Sequence, residues 1–244
     1  GWCDWSSDVC SSDLYFFFAS KKMQNVVMGL SGGMDSATVL GFYYEMGYKI
    51  HPLFFSYGSK HNKYEFKSAL KISEYYKTEP LEIVELPFIN QLFKSNLLNG
   101  QGEIPEGHYE ASNMALTVVP GRNSIFITIM AGYAESVGAD TVAVGTHMGD
   151  HFIYADCRPI FISAMNTAIQ ASTEEKVHIE TPIQHFDKSG ILRMGYSFNT
   201  PVPYELTRTC YKDQEFSCGK CGSCRERLEA FENIGRVDPI QYQK

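Results

Sequence analysis

The sequence predicts an α/β fold, a parallel sheet with helices on both faces, followed by a small C-terminal cysteine module. Three observations carry this. Short apolar runs alternate with helix-period segments from residue 25 to residue 194, the pattern of βα units wound around a parallel sheet. A stretch of small residues, SGGMDS at 31–36, lies between the first apolar run and the first helical segment, where open α/β sheets place their ligands. Four cysteines fall within fifteen residues, 210–224, and interrupt the alternation.

The elements follow in order. NVVMGL at 25–30 reads as a buried strand, and 35–46 as a helix stopped by Gly47. KIHPLFF at 49–55 is the second strand, although its proline belongs more naturally on an edge. Residues 62–76 form a helix with Phe66, Ala69, Leu70 and Ser73 on one side, and LEIVEL at 81–86 is the third strand. Residues 95–122 are rich in Gly, Asn, Glu and Pro and lack periodicity, which marks a functional or mobile segment. A helix covers 123–137, with Asn123 as N-cap, Gly138 as stop and a stripe of Ile125, Phe126, Ile129, Met130, Tyr133, Ala134 and Val137. TVAVGT at 141–146 is strand four, 159–171 a helix opened by Pro159, and VHIETPI at 177–183 strand five. A short helix at 187–194 takes Asp187 as N-cap.

Residues 1–22 stand apart. DWSSDVCSSDL has neither helical nor strand period and resembles a translated sequencing-library adapter. We read 1–22 as a non-native or disordered leader and expect the native start at Met23. Without the leader's three aspartates and two lysines, the formal charge moves from −7 to −6. That balance suits a polyanion such as nucleic acid poorly, and no apolar run reaches the roughly 18 residues of a membrane span.

The SGGMDS loop reads as a phosphate cradle. Glycines let backbone approach an anion, and the following helix N-terminus attracts it. The loop holds no lysine, so it is not the G-x4-G-K-[ST] loop, and it also lacks G-x-G-x-x-G. It resembles the pyrophosphate loop of ATP pyrophosphatases. That resemblance implies that Ser31, Gly32, Gly33 and Ser36 cradle pyrophosphate, with Asp35 near Mg2+.

Three further groups of residues carry chemistry. C-x7-C-x2-C-x2-C, formed by Cys210, Cys218, Cys221 and Cys224, suits a closed tetrahedral Zn2+ site that staples a tail with little core of its own, an iron–sulfur cluster being the rival. GTHMGDHFIYADCRP, just past strand four, brings His147, Asp150, His151, Asp156 and Arg158 to the ligand edge. That set could form a metal site; the preferred reading is that Asp150, Asp156 and Arg158 bind a planar polar substrate, with Cys157 as a buried thiol or wall residue. Arg122, before the long helix, can reach a phosphate or carboxylate, and Lys188 offers a charge for the phosphates. Tyr57, Gly58, Lys60 and His61 can shape a ribose or adenine side. Asp35, Arg122 and Lys188 are the catalytic candidates.

Taken together, LSGGMDSATVL, FFSYGSKHNKYE, VPGRNSIF, YADCRPIF, ETPIQHFDKSGI, ELTRTCY and CGKCGSCRERLEAF resemble, in this order, the 7-cyano-7-deazaguanine synthases, over residues 23–231. The resemblance implies a Rossmann-like, adenine nucleotide alpha-hydrolase-like sheet at 23–209 and a zinc-binding module at 210–244. It places Leu30, Ser31, Gly32, Gly33, Met34, Asp35, Ser36, Ala37, Thr38, Val39 and Leu40 on ATP. It implies an ATP-dependent ligase that turns 7-carboxy-7-deazaguanine and ammonia into the nitrile through adenylated acid and amide, in a cytoplasmic homodimer. Gly121, and the wording of 145–159, depart from the commoner family form, which leaves a product stopping at the amide open. Two rival readings are a sulfur- or nitrogen-transfer enzyme acting on tRNA, which the charge disfavours, and a zinc-ribbon binding module without catalysis, which the complete phosphate loop disfavours.

Overall fold

The computed structural model describes residues 24–107 and 112–243; the expected leader and the expected start at Met23 lie outside the described residues. The strands are β1 Asn25–Gly29, β2 Lys49–Ser56, β3 Glu82–Glu85, β4 Thr141–Ala143 and β5 His178–Glu180. They form one all-parallel sheet in the order β3-β2-β1-β4-β5. The chain runs outward from β1 to β3, then returns to β4 on the other side of β1. The direction therefore reverses between β1 and β4, and the carboxyl ends of these two strands open the crevice where such sheets bind ligands.

The helices are α1 Met34–Glu45, α2 Asn62–Tyr76, α3 Pro87–Leu92, α4 Arg122–Val137, α5 Pro159–Ser172, α6 Lys188–Ser197 and α7 Gly222–Asn233. Strand side chains alternate between faces, so the sheet divides the core in two. Val26, Met28, Ile50 and Phe54 pack with α1, α2, α6 and α7 on one face. Val27, Leu53, Phe55 and Val142 pack with α4 and α5 on the other. Among the described residues, no helix is long and apolar enough to cross a membrane.

Several elements depart from expectation for local reasons. Pro52 sits in β2, an interior strand, yet costs no ladder bond. The Ile50 carbonyl accepts from Glu79 on the β3 side and the Leu53 carbonyl accepts from Leu30 on the β1 side. Pro52 shares the orientation of Ile50, and the β3 register begins only at Leu53. In α4 the fully buried line is Ile127, Met130, Ala131 and Ala134, so the expected stripe shares only Met130 and Ala134 with it; the other five residues pack partly buried at its margins. A helix apolar on most of its circumference gives periodicity too little contrast to fix the innermost face. Leu70, expected on the packed side of α2, is 39% exposed. The region at 95–122 holds a 3₁₀ helix, Ser112–Thr117, and α3 precedes it; both are too short to show a period.

The helix ends are clearer. Asp187 caps α6 by accepting the Gly190 N–H at 2.6 Å, as expected. The N-cap of α4 is Gly121, not Asn123. Asp156 does the capping from outside the helix, taking the Asn123 N–H at 3.0 Å.

Candidate active site

The carboxyl ends of β1, β2 and β4 open into a cavity of about 260 Å³. Its first wall is the loop between β1 and α1. Gly32 adopts φ +81°, and a Cβ there would come 2.5 Å from the Glu65 carbonyl and 2.8 Å from the Ala69 nitrogen, so no other residue fits. Gly33 caps α1 in extended conformation without a side-chain bond, which leaves the first-turn amides of α1 facing the crevice. Ser31 Oγ lies 3.1 Å from Ser36 Oγ and accepts the Gly33 N–H at 3.3 Å, while Ser36 Oγ donates to the Gly33 carbonyl. The result is a pre-shaped anion cradle with a positive helix end behind it.

Of the other expected ATP-binding positions, Leu30, Ser31, Gly33, Met34, Asp35 and Ser36 line the cavity. Ala37, Val39 and Leu40 lie in the core behind it. Thr38 is also buried, its Oγ1 2.8 Å from the Tyr204 hydroxyl, and anchors α1.

Lys188, the first residue of α6, reaches this cradle from the side. Its Nζ is 2.8 Å from Asp35 Oδ2, 2.8 Å from His147 Nε2 and 3.3 Å from Glu226 Oε2. Burial alone pushes the Asp35 carboxyl up, but its charged surroundings, the Lys188 ammonium first, outweigh it and hold the carboxyl below its ordinary value. Burial likewise opposes the Lys188 charge, and Asp35 and Glu226 restore it, raising the ammonium above its usual value.

The opposite wall carries Tyr57, His61, Glu65, Arg122, Asn123, Tyr154 and Cys157. The Arg122 guanidinium stands 5.8 Å from the Tyr57 and Phe126 ring centres, and its Nη1 donates to the Tyr57 hydroxyl at 3.3 Å. Its Nε is buried with no hydrogen-bond partner among the described residues. A desolvated guanidinium with spare donors suits a carboxylate or phosphate oxygen. His61 Nε2 and Glu65 Oε2 stand at 3.4 Å, an ion-pair distance. Burial, however, pushes the imidazole down to about 3 and the carboxyl up to about 8, the latter against the pull of Arg122 and Arg208. At neutral pH both groups are uncharged. Burial, with Asp150 and Asp156 nearby, pushes the Cys157 thiol well up. The thiol accepts from Asn123 Nδ2 at 3.2 Å and stays protonated, a wall residue and not a nucleophile.

The three expected substrate-binding residues separate. Asp150 lines the cavity, with His147 Nε2 3.5 Å from its Oδ1. Asp156 is occupied as the cap of α4. Arg158 stands at the N-cap position of α5 without a side-chain cap bond, and its Nε donates to the His151 carbonyl at 2.9 Å, in an exposed position. Glu65, Arg208, Tyr211 and Glu226 also line the site, although sequence patterning does not single them out. Tyr211 follows Cys210 and Glu226 lies just past Cys224 in sequence, and only the folding of that segment back onto the sheet brings them to the cavity.

The four expected metal ligands converge. The Sγ atoms of Cys210, Cys218, Cys221 and Cys224 are buried and lie within 4.8 Å of one another. Zinc–sulfur bonds of roughly 2.3 Å place tetrahedral sulfurs roughly 3.8 Å apart, and Cys218 Sγ is 3.9 Å from Cys224 Sγ. Backbone N–H groups of Lys212 and Cys218 point at Cys210 Sγ, and those of Lys220 and Cys221 at Cys218 Sγ, at 3.3–3.5 Å. Such donors favour thiolates. The donor set and its spacing fit a metal ion.

Comparison with known proteins agrees with this geometry. Residues 25–235 match the family described as "Queuosine biosynthesis protein QueC". The chain is 43% identical over 220 residues to the 7-cyano-7-deazaguanine synthase of Marinomonas sp. (strain MWYL1), covering 90% of this chain and 99% of that one. It is 42% identical over 217 residues to the 7-cyano-7-deazaguanine synthase of Methanoregula boonei (strain DSM 21154 / JCM 14090 / 6A8), covering 89% and 98%. Among solved structures, the NMN synthetase of Francisella tularensis superposes with a TM-score of 0.51 at 16% identity, over 88% of this chain and 79% of that one, a likeness of fold. With the family pattern matched across the whole sheet and the four cysteines, this chain belongs to the QueC family.

Proposed function

We propose that the chain is a carbon–nitrogen ligase that converts 7-carboxy-7-deazaguanine and ammonia to 7-cyano-7-deazaguanine, with ATP split to AMP and pyrophosphate. The observation that carries this reading is a lysine-free cradle at the α1 N-terminus, set across one cavity from the buried, under-bonded Arg122.

In this reading the loop at Ser31–Ser36 and the α1 amides hold the outer two phosphates, which leave together. Lys188 balances their charge, and Asp35 would hold Mg2+, which supplies further charge neutralisation there. Arg122 takes the substrate carboxylate and presents one oxygen to the α-phosphorus. That attack forms the acyl adenylate and expels pyrophosphate. Ammonia then displaces AMP to give the amide. A second adenylation of the amide oxygen, followed by loss of AMP and protons, gives the nitrile. Two ATP thus carry off both carboxylate oxygens, and no water is released. The apolar floor of Phe55, Phe126 and Met130 limits hydrolysis of the adenylate. Asp150 faces the same space and serves the heterocycle. Zn2+ on the four cysteines would fold the 210–244 module onto the 23–209 domain. The working form is a cytoplasmic homodimer with small-molecule substrates and no nucleic-acid partner.

The test is AMP and pyrophosphate release, with and without the deazapurine acid and ammonium, with mass spectrometry of the product. ADP in place of AMP would overturn the cradle assignment, and amide as sole product would establish the shorter reaction.

A further inference from the structure

Lys188 is a buried ammonium with three N–H donors and no acceptor of its own. Asp35 at 2.8 Å and Glu226 at 3.3 Å take two of them. The third faces His147 Nε2 at 2.8 Å. The His147 ring already accepts the Gly149 N–H at Nδ1, at 3.1 Å, and a neutral imidazole accepts at one nitrogen only. His147 therefore does not compete for the ammonium, which an incoming phosphate oxygen beside Asp35 can engage while a carboxylate keeps Lys188 in place. Asp35 belongs to the phosphate cradle itself and is the group a phosphate-bound cation would draw away. That leaves Glu226 as the standing partner.

Glu226 is fixed from both sides. Cys221 caps α7 and Cys224 lies in its first turn, both in the four-thiol cluster. Arg227, the next residue, is fully buried. Its guanidinium donates to both Asp238 carboxylate oxygens at 2.7 and 2.9 Å, to Thr207 Oγ1 at 2.6 Å, to Thr209 Oγ1 at 3.1 Å and to the Tyr204 carbonyl at 3.0 Å. Helix α7 is thus held against rotation, and the Glu226 carboxylate is set before any ligand arrives. Thr207 and Thr209 flank Arg208, whose N–H bonds the Gly32 carbonyl at 2.7 Å. The same helix therefore anchors the cradle as well as the lysine.

We propose that Glu226 is a positioning residue: anchored through α7, it holds Lys188 at the phosphate cradle when Asp35 turns to the metal. The inference rests on the reading that Lys188 serves the phosphates of ATP. Its test uses Glu226→Gln and Glu226→Asp in the full chain, with AMP release measured across ATP and deazapurine-acid concentrations. Melting temperature and metal content are read on the same samples. Glu226→Gln should keep its metal and its melting temperature and lose roughly ten- to a hundredfold in kcat/KM for ATP, the scale of a misplaced catalytic charge. The KM for the acid should stay within about twofold, because ground-state binding of the acid is untouched. Glu226→Asp should recover part of the loss.

Wild-type kcat/KM for ATP in Glu226→Gln overturns the proposal. So does an equal fall for both substrates together with loss of metal in both variants, which would mean a purely structural role. If only Glu226→Gln loses its metal, Glu226→Asp decides: a partial loss confined to ATP supports the proposal, and wild-type values overturn it. A wild-type chain that releases no AMP fails the proposed function itself, a result distinct from these.

Discussion

The backbone N–H of Arg208 donates to the carbonyl of Gly32 over 2.7 Å, so the cysteine-rich end of the chain holds the loop that opens its first helix. The two residues are 176 positions apart, and the bond joins the anion cradle to a segment braced by Arg227. The cradle's shape is thus a property of the whole fold and not of six residues.

Gly32→Ala should show this most directly. The new Cβ would meet backbone atoms of α2 at 2.5 and 2.8 Å in a positive-φ conformation, at a cost of about 1–3 kcal/mol from the backbone conformation alone. The variant should melt several degrees lower and release AMP at least a hundredfold more slowly. Full ATP-dependent activity in a folded Gly32→Ala chain would contradict the cradle geometry.

Arg122→Met keeps the aliphatic packing on Tyr57 and Phe126 and removes the guanidinium. If Arg122 receives the substrate carboxylate, the KM for the deazapurine acid should rise by about ten- to a hundredfold, the range for loss of a charge-assisted bond. The KM for ATP should change far less. The reverse pattern would move Arg122 to the phosphates.

The Glu65 carboxyl gives a pH dependence of stability. Its ordinary value is 4.5 and burial raises it to about 8 in the folded chain. Between those values the folded state holds a proton that the unfolded state has lost, so this group's contribution falls as pH rises and levels off above about 8. His61, lowered from 6.5 to about 3, acts oppositely: its contribution grows from pH 3 to 6.5. Glu65→Gln should therefore gain melting temperature relative to wild type at pH 8.5 and show little gain at pH 4.5. Equal differences at both pH values would refute the raised carboxyl.

Cys221→Ser should lower the metal content and destabilise the C-terminal segment, since ligand binding there supplies folding energy. Tyr211, Ser223 and Glu226 line the cavity from that segment, so AMP release should fall in step with metal content when the wild-type chain is titrated with a chelator. Undiminished turnover in metal-free protein would separate the cluster from the site.

The sequence alone determined the order and kind of the main elements, because apolar period and glycine stops act within a few turns of chain. Gly47 and Gly138 stand where positive φ is needed just after α1 and at the end of α4. It also showed which residues carry the cradle and the thiol set, because SGGMDS and the four cysteines at 210–224 are short-range patterns whose residue types dictate their chemistry, although the cradle's final shape needed the Arg208 bond. Tertiary structure alone decided which polar groups share the cavity. Nothing in the sequence pattern marks Glu65 and Glu226 until α2 and α7 fold against the sheet and set them in the cavity wall. Asp156 reads as a ligand contact until it caps α4, and Arg158 until its guanidinium turns to the His151 carbonyl. Local sequence sets backbone preference at short range, whereas burial, and the charge it makes costly, depends on contacts across more than a hundred residues.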